Sequence, residues 1–215
     1  VNLCTVEDPI EMIEPAFNQM QVHHNIDLTF ASGIRALLRQ DPDIIMIGEI
    51  RDQETAEMAI QAALTGHLVL STLHTNDAPS AISRLQELGI AHYLIKATLI
   101  GVMAQRLVRL LCPHCKRAVN APEPVHEAIG CGECRDSGYQ GRAGLYEIMV
   151  MDETLKALIT PGADVQALRR ASLGQGMRTL RMAGIDKVHA GLTTLAEVLR
   201  VTPGDSETND WVVAP

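Results

Sequence analysis

Two cysteine pairs, Cys112-Pro113-His114-Cys115 and Cys131-Gly132-Glu133-Cys134, carry the most specific chemical signal in the sequence. Together they read C-x2-C-x15-C-x2-C. Each pair bends into a knuckle whose thiolates point the same way, and the linker lets two knuckles close one tetrahedral Zn2+ site. Four sulfurs saturate such a site, so the metal there is structural rather than catalytic. The competing reading is four buried or redox-active thiols. His114 and His126 are possible substitute ligands, but the four sulfurs are preferred. Cys4, inside an apolar stretch, reads as a small core residue.

The second signal is a set of acids and a histidine, each placed just after an apolar run. Glu7 and Asp8 follow Val1–Val6 and precede Pro9. Glu49 follows Ile44-Ile45-Met46-Ile47-Gly48, and His74 ends His67-Leu68-Val69-Leu70-Ser71-Thr72-Leu73. In open α/β sheets ligands sit outside the carboxyl ends of the strands. Carboxylates there can hold magnesium, directly or through water, or orient and activate an attacking water. A histidine beside them can sense a terminal phosphate or order the acids. Taken singly, each residue reads equally as a solvated acid or as a histidine bonded to a nearby carbonyl. Three at successive strand ends favour a site.

The elements that must position these groups follow from periodicity. The unbroken apolar run Ile44–Ile47 between turn signals predicts a strand buried on both faces, as in a parallel sheet. Residues 67–74 predict another buried strand, ending in polar residues. Thr29 caps a helix expected to reach Gln40, with Ile34, Leu37 and Leu38 on one face; Arg35 and Arg39 share another and read as solvated surface. Asp52 caps a helix that exits at Gly66. Asn76 or Asp77 caps one ending near Gly89, and residues 91–111 predict one long apolar helix. Residues 10–28 read as irregular or weakly extended, with Gln19-Met20-Gln21-Val22-His23 alternating in part. Strand and helix thus alternate three times across residues 1–111, the pattern of a parallel sheet covered by helices. Residues 112–142 form a separate cysteine-, glycine- and proline-rich element. Residues 143–202 form a mainly helical subdomain that opens with a strand at Gly144–Met151, and residues 203–215 a disordered tail.

Net charge of −8 and 3% aromatic residues argue against nucleic-acid binding, for they leave neither a basic surface nor a stacking platform. A zinc-ribbon nucleic-acid binder is therefore disfavoured. No apolar run reaches the length of a membrane span and no signal peptide opens the sequence, so a cytoplasmic location is expected. The chain opens without Met and already in a strand pattern, so a fragment of a longer protein is expected.

Several of these stretches together resemble one family. Thr5-Val6-Glu7-Asp8-Pro9-Ile10-Glu11 is similar to the aspartate box of the secretion ATPases of type II secretion and type IV pilus assembly. Residues Arg39–Asp52 look like their Walker B segment and Thr65–Asn76 like their histidine box. The cysteine pairs match the zinc element of the assembly-type members; the retraction-type pilus ATPases resemble the chain less. The likeness extends from residue 1 to about Thr202.

It implies an α/β fold, a RecA-like P-loop NTPase sheet incomplete at its amino-terminal end, followed by the tetracysteine zinc element and a carboxyl-terminal helical subdomain. It implies ATP and Mg2+ as ligands and Zn2+ as a structural ion. It further implies a ring hexamer that acts with inner-membrane platform proteins, at the membrane only through those partners. By position, Glu49 is the Walker B glutamate, Glu7 the aspartate-box acid with Asp8 beside it, and His74 the histidine near the terminal phosphate. Arg35, Arg39 and Arg51 match arginines that support the subunit interface or the nucleotide site. One departure matters: no G-x-x-x-x-G-K-[ST] loop occurs in residues 1–215, and without it no backbone cradle or lysine holds the phosphates. The isolated chain is therefore expected to bind ATP poorly and hydrolyse it negligibly. The alternative is a non-catalytic, zinc-stabilised interaction module derived from such an ATPase.

Overall fold

The computed structural model describes residues 1–119 and 125–204. Most of the tail expected at 203–215 lies outside the described residues. The chain packs as two units: Val1–Thr75, Pro79–Ile100 and Met151–Leu168 in the first, and Asn76–Ala78, Gly101–Val150 and Arg169–Pro215 in the second.

In the first unit, β1 (Leu3–Glu7), β2 (Asn18–Gln21), β3 (Ile44–Ile47) and β4 (Leu68–Ser71) form one parallel sheet in the order β2-β1-β3-β4. Cys4, Thr5 and Val6 are successive and all buried, so β1 is covered on both faces. In β3 only Ile45 and Ile47 are fully buried, and Ile44 and Met46 are half-buried. One expectation is resolved here and one changes. Of the irregular or weakly extended alternatives for residues 10–28, residues 18–21 take the extended one, a strand paired in register from Cys4↔Asn18 to Glu7↔Gln21. An edge strand carries polar side chains without penalty, which hides it from a hydrophobicity reading. β4 is also an edge strand, with Leu68 and Leu70 exposed rather than buried; an apolar run predicts burial but not what provides it.

The helices start where capping chemistry permits. For α1 (Phe30–Leu37), Thr29 accepts the Ser32 N–H at 3.2 Å while the Ser32 hydroxyl accepts the Thr29 N–H at 2.8 Å. It ends short of Gln40. Gly33 lets this helix close on the sheet, since a β-carbon there would lie 2.8 Å from Val6 Cγ2. Asp52 caps α2 (Gln53–Leu64) by accepting the Thr55 N–H at 2.8 Å. The apolar face of α2 buries Ala56, Met58, Ala59 and Ala62.

α3 (Ser80–Glu87) starts after Pro79 without a side-chain cap, so neither Asn76 nor Asp77 serves as one. Asp77 instead pairs with Arg169 at 2.6 Å. The long helix expected at 91–111 is two elements: α4 (His92–Thr98) and β5 (Gly101–Leu111). Leu99 turns extended, and from Gly101 burial alternates with period two, with Ala104 and Val108 inward and Met103 and Leu107 outward. α5 (Glu153–Leu158) completes the unit's main elements.

In the second unit β5 pairs antiparallel with β8 (Tyr139–Val150), which starts five residues before the strand expected from Gly144. A small hairpin-like pair, β6 (Arg117–Val119) and β7 (Val125–Glu127), lies beside the cysteines in sequence. The helices α6 (Val165–Gly174), α7 (Leu180–His189) and α8 (Leu195–Val201) follow.

The buried Glu197 carboxylate ties α8 to β5, accepting Arg109 Nε at 2.9 Å and Nη2 at 2.5 Å, and Arg200 Nη2 at 2.9 Å. The Arg109 guanidinium also lies 4.2 Å from the Tyr139 ring centre. The Arg109 bonds outweigh burial and, with Arg200, hold the Glu197 carboxyl down to about 2. A carboxyl depressed on folding stabilises above its ordinary value, and that gain is lost as pH falls through the depressed one. Both arginines are about half exposed, so the contribution is roughly 1–3 kcal/mol after solvent screening. Urea unfolding of Arg109→Met should show a deficit of that size at neutral pH that shrinks on acidification; a pH-independent deficit would assign the loss to packing alone.

Candidate functional site

Three strand ends meet at one level in the first unit. In the parallel ladder Val6 faces Ile47 and Ile47 faces Ser71, so Glu7, Gly48 and Thr72 follow together. The Gly48 N–H donates to the Val6 carbonyl at 2.8 Å. Thr72 Oγ1 donates to the Gly48 carbonyl at 2.6 Å, and the Ile50 N–H to the Thr72 carbonyl at 3.0 Å. A β-carbon at Gly48 would lie 3.3 Å from the Val6 carbonyl oxygen and 3.4 Å from Glu7 Cα, a close fit that would ask the neighbouring backbone to give by a few tenths of an ångström. The strand order reverses direction at β1, so the crevice beside β1 and β3 is the topological switch point where doubly wound sheets hold ligands.

Glu49 lies just beyond that turn, its side chain 12% exposed. Its Oε2 receives Arg51 Nε at 2.5 Å and His74 Nε2 at 2.9 Å. A carboxylate only accepts, so the His74 proton sits on Nε2 in this contact. The His74 bond is the largest influence holding the Glu49 carboxyl below the usual range; burial opposes it and Arg51 adds to it. Glu7 is held differently. Its Oε1 accepts the Thr5 hydroxyl at 2.5 Å and Gln19 Nε2 at 3.1 Å. Asp8 Oδ2 lies 3.5 Å from His24 Nε2.

The structure therefore joins Glu49, Arg51 and His74 directly and sets Glu7 on the neighbouring strand end. It does not bring in Arg35 or Arg39. Arg35 reaches Glu54 at 3.6 Å and Met58 Sδ at 3.4 Å, and Arg39 donates to the Arg35 carbonyl at 2.8 Å. Thr5, Gln19 and Thr72 were not singled out in the sequence. Gln19 and Gln21 alternate in Gln19-Met20-Gln21-Val22, which placed both amides on one face; nothing in the sequence marked Thr5.

In the second unit Cys112, Cys115, Cys131 and Cys134 gather with all sulfurs within 4.8 Å of one another, and none forms a disulfide. Three Sγ–Sγ separations are 3.8–3.9 Å. Tetrahedral zinc at about 2.3 Å from each sulfur requires roughly 3.8 Å, so the cluster fits zinc. The Gly130 N–H donates to Cys115 Sγ at 3.3 Å. Burial raises the Cys134 thiol, but N–H bonds from Cys131 and Gly138, each 3.2 Å, outweigh it and bring it to about 6. Burial pushes the neighbouring Cys115 thiol the other way, up to about 11, so Cys134 is a ready thiolate while Cys115 gives up its proton as a metal binds. His114 and His126 are not in the cluster.

Comparison with known proteins gives these features a family. A family described as type II/IV secretion system protein matches residues 1–200. The chain belongs to that family. It is 56% identical to the type IV pilus assembly ATPase TfpB of Acinetobacter baylyi, covering 94% of this chain and 37% of that protein. It is 50% identical to the type II secretion system protein E of Pseudomonas aeruginosa, covering 94% and 43%. The chain thus spans about two fifths of the length of such relatives. Among solved structures, the pilus retraction motor PilT with bound ADP superposes at a TM-score of 0.71, with 29% identity over 96% of this chain and 54% of that one. The ATPase DotB of Legionella pneumophila superposes at 0.69 with 25% identity, over 93% and 51%. The family's RecA-like P-loop α/β class agrees with the parallel sheet seen here. No helix among the described residues is long and apolar enough to cross a membrane.

A carbon-detected pH titration of Glu49 checks the electrostatics of the triad. The midpoint should lie below that of free glutamate and rise in both His74→Ala and Arg51→Ala, more in the former. An unchanged midpoint in His74→Ala would remove the histidine from the site.

Proposed function

We propose that this chain is the hydrolytic part of an ATP-driven motor subunit powering type II protein secretion or type IV pilus assembly. The observation that supports the reading most is the meeting of Glu7, Glu49 and His74 at adjacent strand ends, in a chain of this family. Magnesium bound with the nucleotide offsets phosphate charge.

The two glutamates divide the remaining work. Glu49, kept ionised by His74 and Arg51, is a weak base but a good ligand for an ion or a water, so its role is orientation. Glu7 meets a hydroxyl and an amide, and no cation among the described residues, which suits the acid that takes a proton from the attacking water. Asp8 stands beside it as a further metal contact. His74 is open to solvent on its outer side; with its Nε2 proton committed to Glu49, it would donate to a terminal phosphate through Nδ1 as the imidazolium. Arg51, on leaving Glu49, supplies positive charge where phosphate charge accumulates in the transition state. Arg35, exposed on α1, and Arg39, exposed in the turn that follows it, are assigned to the contact between subunits of a hexameric ring.

The phosphate cradle is assigned to a segment of the longer protein outside residues 1–215. The four cysteines are assigned to structural Zn2+, and the motor to the cytoplasmic face of the inner membrane, held there by platform proteins.

Mg-ATP titration of residues 1–215 should give affinity weaker than micromolar and negligible turnover, while the full-length protein hydrolyses ATP. In the full-length protein Glu49→Gln should lower kcat by about a hundredfold or more, a barrier increase of about 2.7 kcal/mol. Wild-type kcat in that variant would overturn the reading. Metal analysis should find about one zinc per chain, lost with cooperative unfolding in Cys131→Ser; zinc-free, freshly reduced and folded protein would refute the ligand assignment.

A further inference from the structure

Glu7 is restrained more closely than its sequence context suggests. Thr5 is two residues before it on β1, so both side chains leave the same face of the strand. Thr5 is 1% exposed, and its hydroxyl donates to Glu7 Oε1 at 2.5 Å. A valine has the same shape and would pack equally well in a strand core, so the hydroxyl is not needed for burial. The second donor comes from the neighbouring strand. Gln19 faces Thr5 in the β1–β2 register, and its amide nitrogen donates to the same Glu7 oxygen at 3.1 Å.

Gln19 does more than touch Glu7. Its Nε2 also donates to the Met12 carbonyl at 3.1 Å, and its Oε1 accepts the Glu14 N–H at 2.7 Å. Gln21, two residues on, accepts the Ile10 N–H at 3.2 Å. The two glutamines thus fasten the 8–17 connection to the edge strand on the side where Glu7 emerges. Both donors to Glu7 fall on Oε1, and Oε2 accepts no bond among the described residues. Both are uncharged. A neutral donor orients a carboxylate without neutralising it, whereas Glu49 is oriented by a cation.

We propose that Thr5 and Gln19 are positioning residues for hydrolysis: they fix Glu7 through Oε1 and present Oε2 to the reacting water. This rests on the reading of Glu7 as a working acid of the ATPase.

The test uses the full-length protein for kinetics and residues 1–215 for spectroscopy. Thr5→Val removes the hydroxyl and keeps the shape; Thr5→Ser keeps the hydroxyl; Gln19→Leu removes the amide; Glu7→Gln is the reference. Thr5→Val should lower kcat about tenfold or more with the KM for Mg-ATP unchanged, because the lost restraint matters only in the transition state. Thr5→Ser should restore most of it. Gln19→Leu should act in the same direction, and the Thr5→Val/Gln19→Leu pair should be non-additive because both donors serve one oxygen. In residues 1–215 carrying 13C-labelled glutamate, the Glu7 carboxyl resonance should move in Thr5→Val and return in Thr5→Ser, with the melting temperature and zinc content of wild type.

An inactive Glu7→Gln beside a Thr5→Val at wild-type kcat would overturn the positioning role alone. So would a raised KM at unchanged kcat, or a Glu7 resonance unmoved in Thr5→Val. A Glu7→Gln that hydrolyses at the wild-type rate would overturn the reading of Glu7 and, with it, the catalytic purpose of the two donors. If Thr5→Val fails to fold, Gln19→Leu, at a half-exposed edge-strand position, carries the same kinetic and spectroscopic test.

Discussion

Between β1 and β3 the parallel ladder ends on one bond, from the Gly48 N–H to the Val6 carbonyl at 2.8 Å. That bond sets Glu7 and Glu49 on neighbouring strand ends, and the glycine at 48 spares it the crowding a β-carbon would bring against Val6 and Glu7. The Thr72 hydroxyl then accepts the role of a second fastener, donating to the Gly48 carbonyl at 2.6 Å and drawing the end of β4 to the same level. His74 follows two residues later and meets Glu49. The core beneath serves the same end: Val6, Ile34, Ile45 and Ile47 are fully buried, and Gly33 lets α1 sit directly on Val6. A slip of one residue between β1 and β3 would turn Glu7 to the opposite face and dissolve the site.

The two glutamates differ in how their charge is treated. Glu49 is surrounded by Arg51 and His74, which hold its carboxyl below the usual range. Such a group stays ionised and binds ions or water well, at the cost of basicity. Glu7 is oriented by Thr5 and Gln19, which bring no charge. One acid held by cations and one held by neutral donors, on adjacent strand ends, are an arrangement in which two carboxylates can take different tasks. The cysteine cluster belongs to the second unit, and its N–H···S bonds and sulfur spacing fit a metal.

Much of this was legible in the sequence, for reasons that differ by element. The cysteine pairs were readable because ligand spacing alone constrains a tetrahedral site, and the structure gathers all four sulfurs. β3 and α2 were readable because Ile44–Ile47 and the Asp52 cap are strong local signals. The stretch 91–111 misled because an apolar run satisfies helix and strand alike; only Gly101 and the period-two burial after it decide for β5. β2 shows only as a partial alternation because its side chains work as hydrogen-bond donors and acceptors to a loop, not as core. Gln19 carries no mark of its role because its partner Glu7 lies on the adjoining strand, and register is a tertiary property; Thr5 has Glu7 two residues away, but a threonine near an acid on a strand is too common a pattern to single it out. Arg35 and Arg39, which the resemblance alone places at a subunit interface or the nucleotide site, make no bond to Glu49: Arg35 is exposed on α1 and pairs with Glu54, and Arg39 sits in the turn after α1 and bonds the Arg35 carbonyl.

The central claim is that Glu7 and Glu49 act on one reacting centre. A double-mutant cycle on kcat in the full-length protein, with Glu7→Gln, Glu49→Gln and the pair, tests it most directly. Residues serving one transition state lose their effects together. The account predicts that the double variant is about as slow as the slower single variant. Effects that multiply would contradict it and place the two carboxylates in separate tasks.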